Sequence, residues 1–159
     1  MMERSPIIKD HSLSAVFFIV FFFAAFLLNV TWEVCHSMLY DWDPPMHEYI
    51  PVIVWMAAKD ALWVLIFYFA AAAALLDLFW VEKKNRTGFY IMALCGFMFS
   101  VGIELHAQAT GRWYYNELMP VIPLLGIGLT PIMQMTLLPS FAAWDAWGVF
   151  RSLVKNNFS

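Results

Sequence analysis

The chain has 159 residues, of which 62% are hydrophobic and 13% charged, and its net charge is −3. An ordinary soluble domain is about 45–50% apolar and about 25% charged, and a soluble core of this size could not hide the excess apolar surface. With no basic tract to follow phosphates, nucleic acid is excluded as a partner, and membrane lipid is the expected solvent.

Four apolar segments follow in chain order, each able to cover a hydrocarbon core with roughly 20 residues. The first spans residues 14–32 and is rich in Phe, Ala and Leu. Arg4 and Lys9 precede it as they would a signal peptide, but it has the length of a full span and no A-x-A site follows, so it reads as a retained helix. The second runs over residues 50–80 and is interrupted by Lys59-Asp60. The third covers 88–106, and the fourth covers 121–147 with Pro123, Pro131 and Pro139 inside it. The expected fold is therefore all-α: a single polytopic transmembrane bundle of four spans over residues 1–159. Cys35 and Cys95 form no CxxC pair and read as buried free thiols. The methionines read as core filling.

Lys and Arg in short loops set the orientation. Arg4 and Lys9, then Lys83, Lys84 and Arg86, then Arg151 and Lys155 fall on one side. The connection Asp41-Trp42-Asp43-Pro44-Pro45 has no basic residue, and residues 107–120 have only Arg112. Both termini are expected in the cytoplasm.

In that frame the strongly polar residues gather in the outer half of the bilayer. Asn29, Glu33 and His36 stand at i, i+4 and i+7, on one helical face. Ser100 and Glu104 share a face of the third helix. Asp60 lies roughly 13 Å into the second helix at 1.5 Å per residue, and Gln134 is near the middle of the fourth. A charge facing lipid at the depth of Asp60 would cost roughly 2.5–3.5 kcal/mol, so Asp60 is expected inside the bundle while Lys59 snorkels or meets Glu33 or Glu104.

Two chemistries fit this set. Glu33-x-x-His36 has the spacing by which a carboxylate and an imidazole reach one metal ion. Glu104 and His106 would complete a divalent-metal site, provided the third helix ends there, with Gly111 as its stop. Without a metal, a carboxyl group in a dry pocket can hold or deliver a proton near neutral pH. Glu33, His36, Asp60 and Glu104 are then the candidate catalytic residues, acting on a lipophilic small molecule. Asn29, Trp32, Arg112, Trp113, Tyr115 and Gln134 are candidate binding residues, with Arg112 and Trp113 closing the site. Against both stands a bland alternative: a non-catalytic membrane subunit or homo-oligomer whose polar cluster fixes helix packing and whose outer loops dock a partner. In that reading Trp113, Tyr114 and Tyr115 are an aromatic belt.

Trp32-Glu33 followed by Leu39-Tyr40, then Ala109-Thr110-Gly111-Arg112-Trp113 and Met119-Pro120, resembles an uncharacterised family of small bacterial integral membrane proteins. The resemblance covers most of the chain. It implies a bacterial inner-membrane protein of about four spans and supplies no activity. A looser likeness is to the emopamil-binding sterol-isomerase superfamily, whose helical bundles use membrane-embedded acidic and His residues on hydrophobic ligands. The order and spacing of Glu33, His36 and Glu104 depart from that pattern, which leaves an analogy only.

Overall fold

A computed structural model describes residues 11–41 and 46–158. Arg4, Lys9 and most of the acidic Asp41–Pro45 connection, which entered the orientation argument, lie outside those residues. Four long helices follow one another: α1 (His11–His36), α2 (Ile50–Leu75), α3 (Arg86–Thr110) and α4 (Leu129–Phe158). Short 3-10 turns, Ser37–Leu39 and Met46–Tyr49, end α1 and lead into α2. A two-stranded hairpin, β1 (Val121–Ile122) and β2 (Ile127–Gly128), precedes α4.

Three of the helices are long and apolar enough to cross a membrane: α1 with its extension (Leu13–Leu39), α2 and α3. Their outer faces stay apolar and exposed, as at Leu27, Trp55 and Leu94, which suits a multi-pass membrane protein.

Each helix buries one stripe. On α1 it is Phe17, Phe21, Ala25, Asn29, Glu33 and His36. On α3 it is Gly88, Met92, Gly96, Ser100, Glu104 and Ala107. The repeat of mostly four residues keeps each set on one face. Both stripes are apolar towards the basic α2–α3 connection and polar towards the opposite end. In the apolar half, Phe17 and Phe21 pack around Tyr68 of α2, with Trp147 and Phe150 of α4 against Phe17.

The helix ends differ from the sequence expectation in instructive ways. Pro51 sits in the first turn of α2, where its missing N–H is harmless. The helix stops at Leu75 rather than running to Trp80, because Leu76 turns left-handed (φ 51°). Asp77 then organises the turn: its carboxylate accepts from Phe79 N (3.1 Å) and pairs with Lys83 (2.7 Å). Trp80 folds back between Tyr68 and Phe89, ring centroids 5.0 and 4.9 Å away. It lies so close to Gly88 that any Cβ there would overlap the indole.

Asn85 caps α3, accepting from Thr87 N. The helix then runs past His106 to Thr110 and closes on Gly111 (φ 61°), the stop expected from the sequence.

The fourth segment is corrected most. Residues 121–128 form the hairpin, and the helix starts at Leu129 and continues to Phe158. Pro131 falls in its first turn, and Pro139 lies inside it. Both cysteines are free, but Cys35 is exposed rather than buried.

Candidate functional site

The polar ends of the stripes meet at one end of the bundle. Asn29 anchors its amide to its own helix, Nδ2 donating to Ala25 O at 2.8 Å. Its Oδ1 accepts from Gln134 Nε2 of α4 at 2.9 Å. The same nitrogen lies 3.1 Å from Glu33 Oε1 and 3.3 Å from Asp60 Oδ2 of α2. A primary amide has two hydrogens, and Gln134 faces three acceptors. Asp60 is half-buried, while Asn29, Glu33 and Gln134 are buried. Asn29, Glu33, Asp60 and Gln134 therefore converge.

His36 is buried one turn beyond Glu33. Its Nδ1 faces the carbonyl of Trp32 at 3.1 Å, which can only accept, so Nδ1 carries the hydrogen. Nε2 then looks toward Glu33 Oε2 at 3.9 Å, an ion-pair distance rather than a hydrogen bond. Trp32 contributes that carbonyl and a half-buried ring tilted against the imidazole.

Glu104 reaches the site from α3. It accepts a hydrogen bond from the Tyr115 hydroxyl, and that hydroxyl oxygen accepts from Gly128 N at 3.0 Å. Tyr115 is held in place by an antiparallel seam between the end of α1 and the loop after α3. Tyr40 pairs with Tyr115, Asp41 N donates to Tyr114 O, and Asn116 bonds the carbonyls of Leu39 and Met38. This seam roofs the cluster.

Tyr40 was not picked out by sequence reasoning. Its ring lies 5.5 Å from His36, 5.6 Å from Tyr115 and 6.4 Å from Trp113. Burial, then the neighbouring Glu104 and Tyr115, push its phenol above the ordinary value. Burial, then the bond to Glu104, does the same for Tyr115. Both phenols are neutral hydrogen-bond donors at physiological pH. The Leu39-Tyr40 dipeptide, next to an acidic helix end, was the available signal.

Three expected placements are corrected. His106 is exposed while Glu104 is buried, because α3 stays helical through Thr110 and two residues span about 200°. Among the described residues no group of three or more His, Cys, Asp or Glu side chains is placed to hold a metal ion, so Glu33, His36, Glu104 and His106 do not form a ligand set. Arg112 is exposed, its guanidinium 5.4 Å from the Trp113 ring, rather than over the carboxylates. Of the two placements expected for Lys59, an ion pair with Glu33 or Glu104 is not formed among the described residues. Two open grooves, of about 410 and 440 Å³, lie along the C-terminal half of α4, around Gly148 and Ser152, away from the cluster.

Fold and site together define a helical membrane protein with an acidic, hydrogen-bonded centre at one end of its bundle. Comparison with known protein families, with curated proteins and with solved structures gives no match.

Proposed function

We propose that this protein binds the polar end of a lipophilic small molecule at the Glu33–Asp60–Glu104 centre and exchanges a proton with it. One observation carries the reading. Carboxyl groups from α1, α2 and α3 are gathered at one end of the bundle with no Lys or Arg ion-paired to any of them among the described residues. Acidic groups at membrane depth are costly and are retained mainly for function. The neutral donors around them, Gln134 and Tyr115, suit groups that must take and release a proton.

In this reading Glu33 and Asp60 are the acid–base pair. Two carboxyl groups sharing one amide donor repel each other when both are ionised, so a proton or a basic ligand group between them is favoured. His36, with its Nε2 turned toward Glu33, is the relay. Asn29 and Gln134 orient the pair. Glu104 is held back by Tyr115, and Arg112 stacked on Trp113 borders the roof. α4 is the fourth span, both termini face the cytoplasm as the Lys and Arg distribution implies, and the setting is a bacterial inner membrane as the sequence resemblance implies.

A second reading keeps the cluster as a structural clasp in a non-catalytic subunit. What favours it is Gln134 itself, which ties α1, α2 and α4 together.

The Glu33→Gln variant separates them. Mass spectrometry of gently purified protein is expected to find a bound lipophilic molecule in the wild type and its loss in the variant, at nearly unchanged folded yield. Loss of folded yield alone, with no ligand in the wild type, would assign the cluster to packing.

A further inference from the structure

Residues 121–128 are apolar and carry no charge, and the uncharged run extends from Leu118 to Trp144. A surface hairpin facing water would ordinarily be polar. This one presents Leu124 almost fully to its surroundings (97% exposed), with Leu118 (74%), Val121 and Leu125 (47% each) around it. Exposed apolar side chains also stand on the neighbouring elements, at Leu105 of α3 and Met133 of α4.

Much of its backbone hydrogen bonding is made within the protein. The strands pair Val121 with Gly128 and Ile122 with Ile127. The N–H groups of Leu125 and Gly126 both donate to Ile122 O, and Leu129 N donates to Pro120 O. Gly128 N is taken by Tyr115. Pro120 and Pro123 have no N–H to satisfy. The usual objection to irregular backbone near lipid is unsatisfied polar groups. Here it is much reduced.

We infer that the hairpin tip, Pro123 to Gly126, seats in the lipid of the leaflet at the polar end of the bundle, as an interfacial anchor. The occupant of its apolar surface is membrane lipid at the acyl–headgroup boundary. The seat has a consequence inside the protein. Gly128 N holds the Tyr115 hydroxyl, which holds Glu104, so the depth of the hairpin sets the position of the Glu104 carboxylate through two hydrogen bonds. The inference rests on the chain being a membrane protein and not on the acid–base reading.

Spin labels at single cysteines, in full-length protein with Cys35 and Cys95 replaced by serine, test it in phospholipid vesicles. Leu124 is the site in question. Leu62, exposed on α2, is the lipid control, and Glu117, exposed in the loop, is the aqueous control. The expected result is oxygen collision at position 124 approaching that at 62, with collision by a polar nickel complex reduced well below that at 117. A label at 124 that behaves as at 117, while 62 reports lipid, overturns the anchor and leaves the membrane reading standing. Aqueous behaviour at both overturns both. Dipolar broadening between labels at 124 also overturns it, since the surface would then belong to a second copy. Protection of the unlabelled Leu124→Cys thiol from a membrane-impermeant maleimide is the independent check.

Discussion

The backbone of Gly96 on α3 lies directly against the carbonyl oxygen of Met135 on α4, in a space that no side chain could share. The reason is four residues further along. Pro139 has no N–H to donate to Met135, so that carbonyl is free of its helical bond and turns toward the neighbouring helix. Small residues permit such approach between membrane helices.

Gly96→Ala and Gly102→Ala should therefore differ in sign. At 96 the added methyl overlaps backbone and is expected to lower stability by about 1–3 kcal/mol. At 102 nothing lies within reach of a Cβ, and the gain in helix propensity is expected to raise stability by about 0.5–1 kcal/mol. Denaturant unfolding in detergent reads both.

Gln134→Leu removes the one donor shared by Asn29, Glu33 and Asp60. Stranding buried acceptors costs about 1–3 kcal/mol, so this variant should be clearly destabilised and lose any bound ligand. Asn29→Ala in the same background should then add less than it does alone, because their bond is already gone. A double-mutant cycle checks the coupling.

Alkaline stability should follow Tyr40. Its phenol is held above the ordinary 10.0 in the folded protein. Below pH 10 both states keep the proton and nothing is lost. As pH rises beyond 10 the unfolded chain releases it while the folded one holds it, so stability falls with pH. Tyr40→Phe should flatten that fall, followed as unfolding midpoint against pH beside the tyrosinate absorbance.

His36→Ala and His106→Ala should separate cleanly. The first empties a buried position beside Glu33 and is expected to cost about 1–3 kcal/mol; the second changes an exposed side chain and should stay within about 0.5 kcal/mol. A stoichiometric metal lost from both variants would reinstate the ligand set that the geometry of α3 disfavours.

Much of the site was legible because helical spacing is a local property. Asn29, Glu33 and His36 share a face by count alone, and the buried stripe of α1 follows that count. That Gln134 would meet them was not legible, since it depends on how α4 is rotated against α1. The hairpin was hidden for a different reason. Residues 121–128 are as apolar as a helix interior, and only the density of Pro and Gly (Pro120, Pro123, Gly126, Gly128) separates them from one. The end of α2 was hidden too, because a left-handed leucine at position 76 leaves no signature. His106 shows the limit of proximity in sequence: two residues from Glu104, it faces away.

The buried stripe of α1 also fixes what can move. Its aromatic half and its polar half are distinct layers, so sliding the helix along its axis by one turn, about 5.4 Å, would carry Asn29 to the level of Ala25 and Glu33 to that of Asn29. Polar groups would enter a dry layer while Gln134 and Asp60 lost their partners. α1 is thus a fixed mast against axial sliding, with the Tyr40–Tyr115 seam rigged to its top.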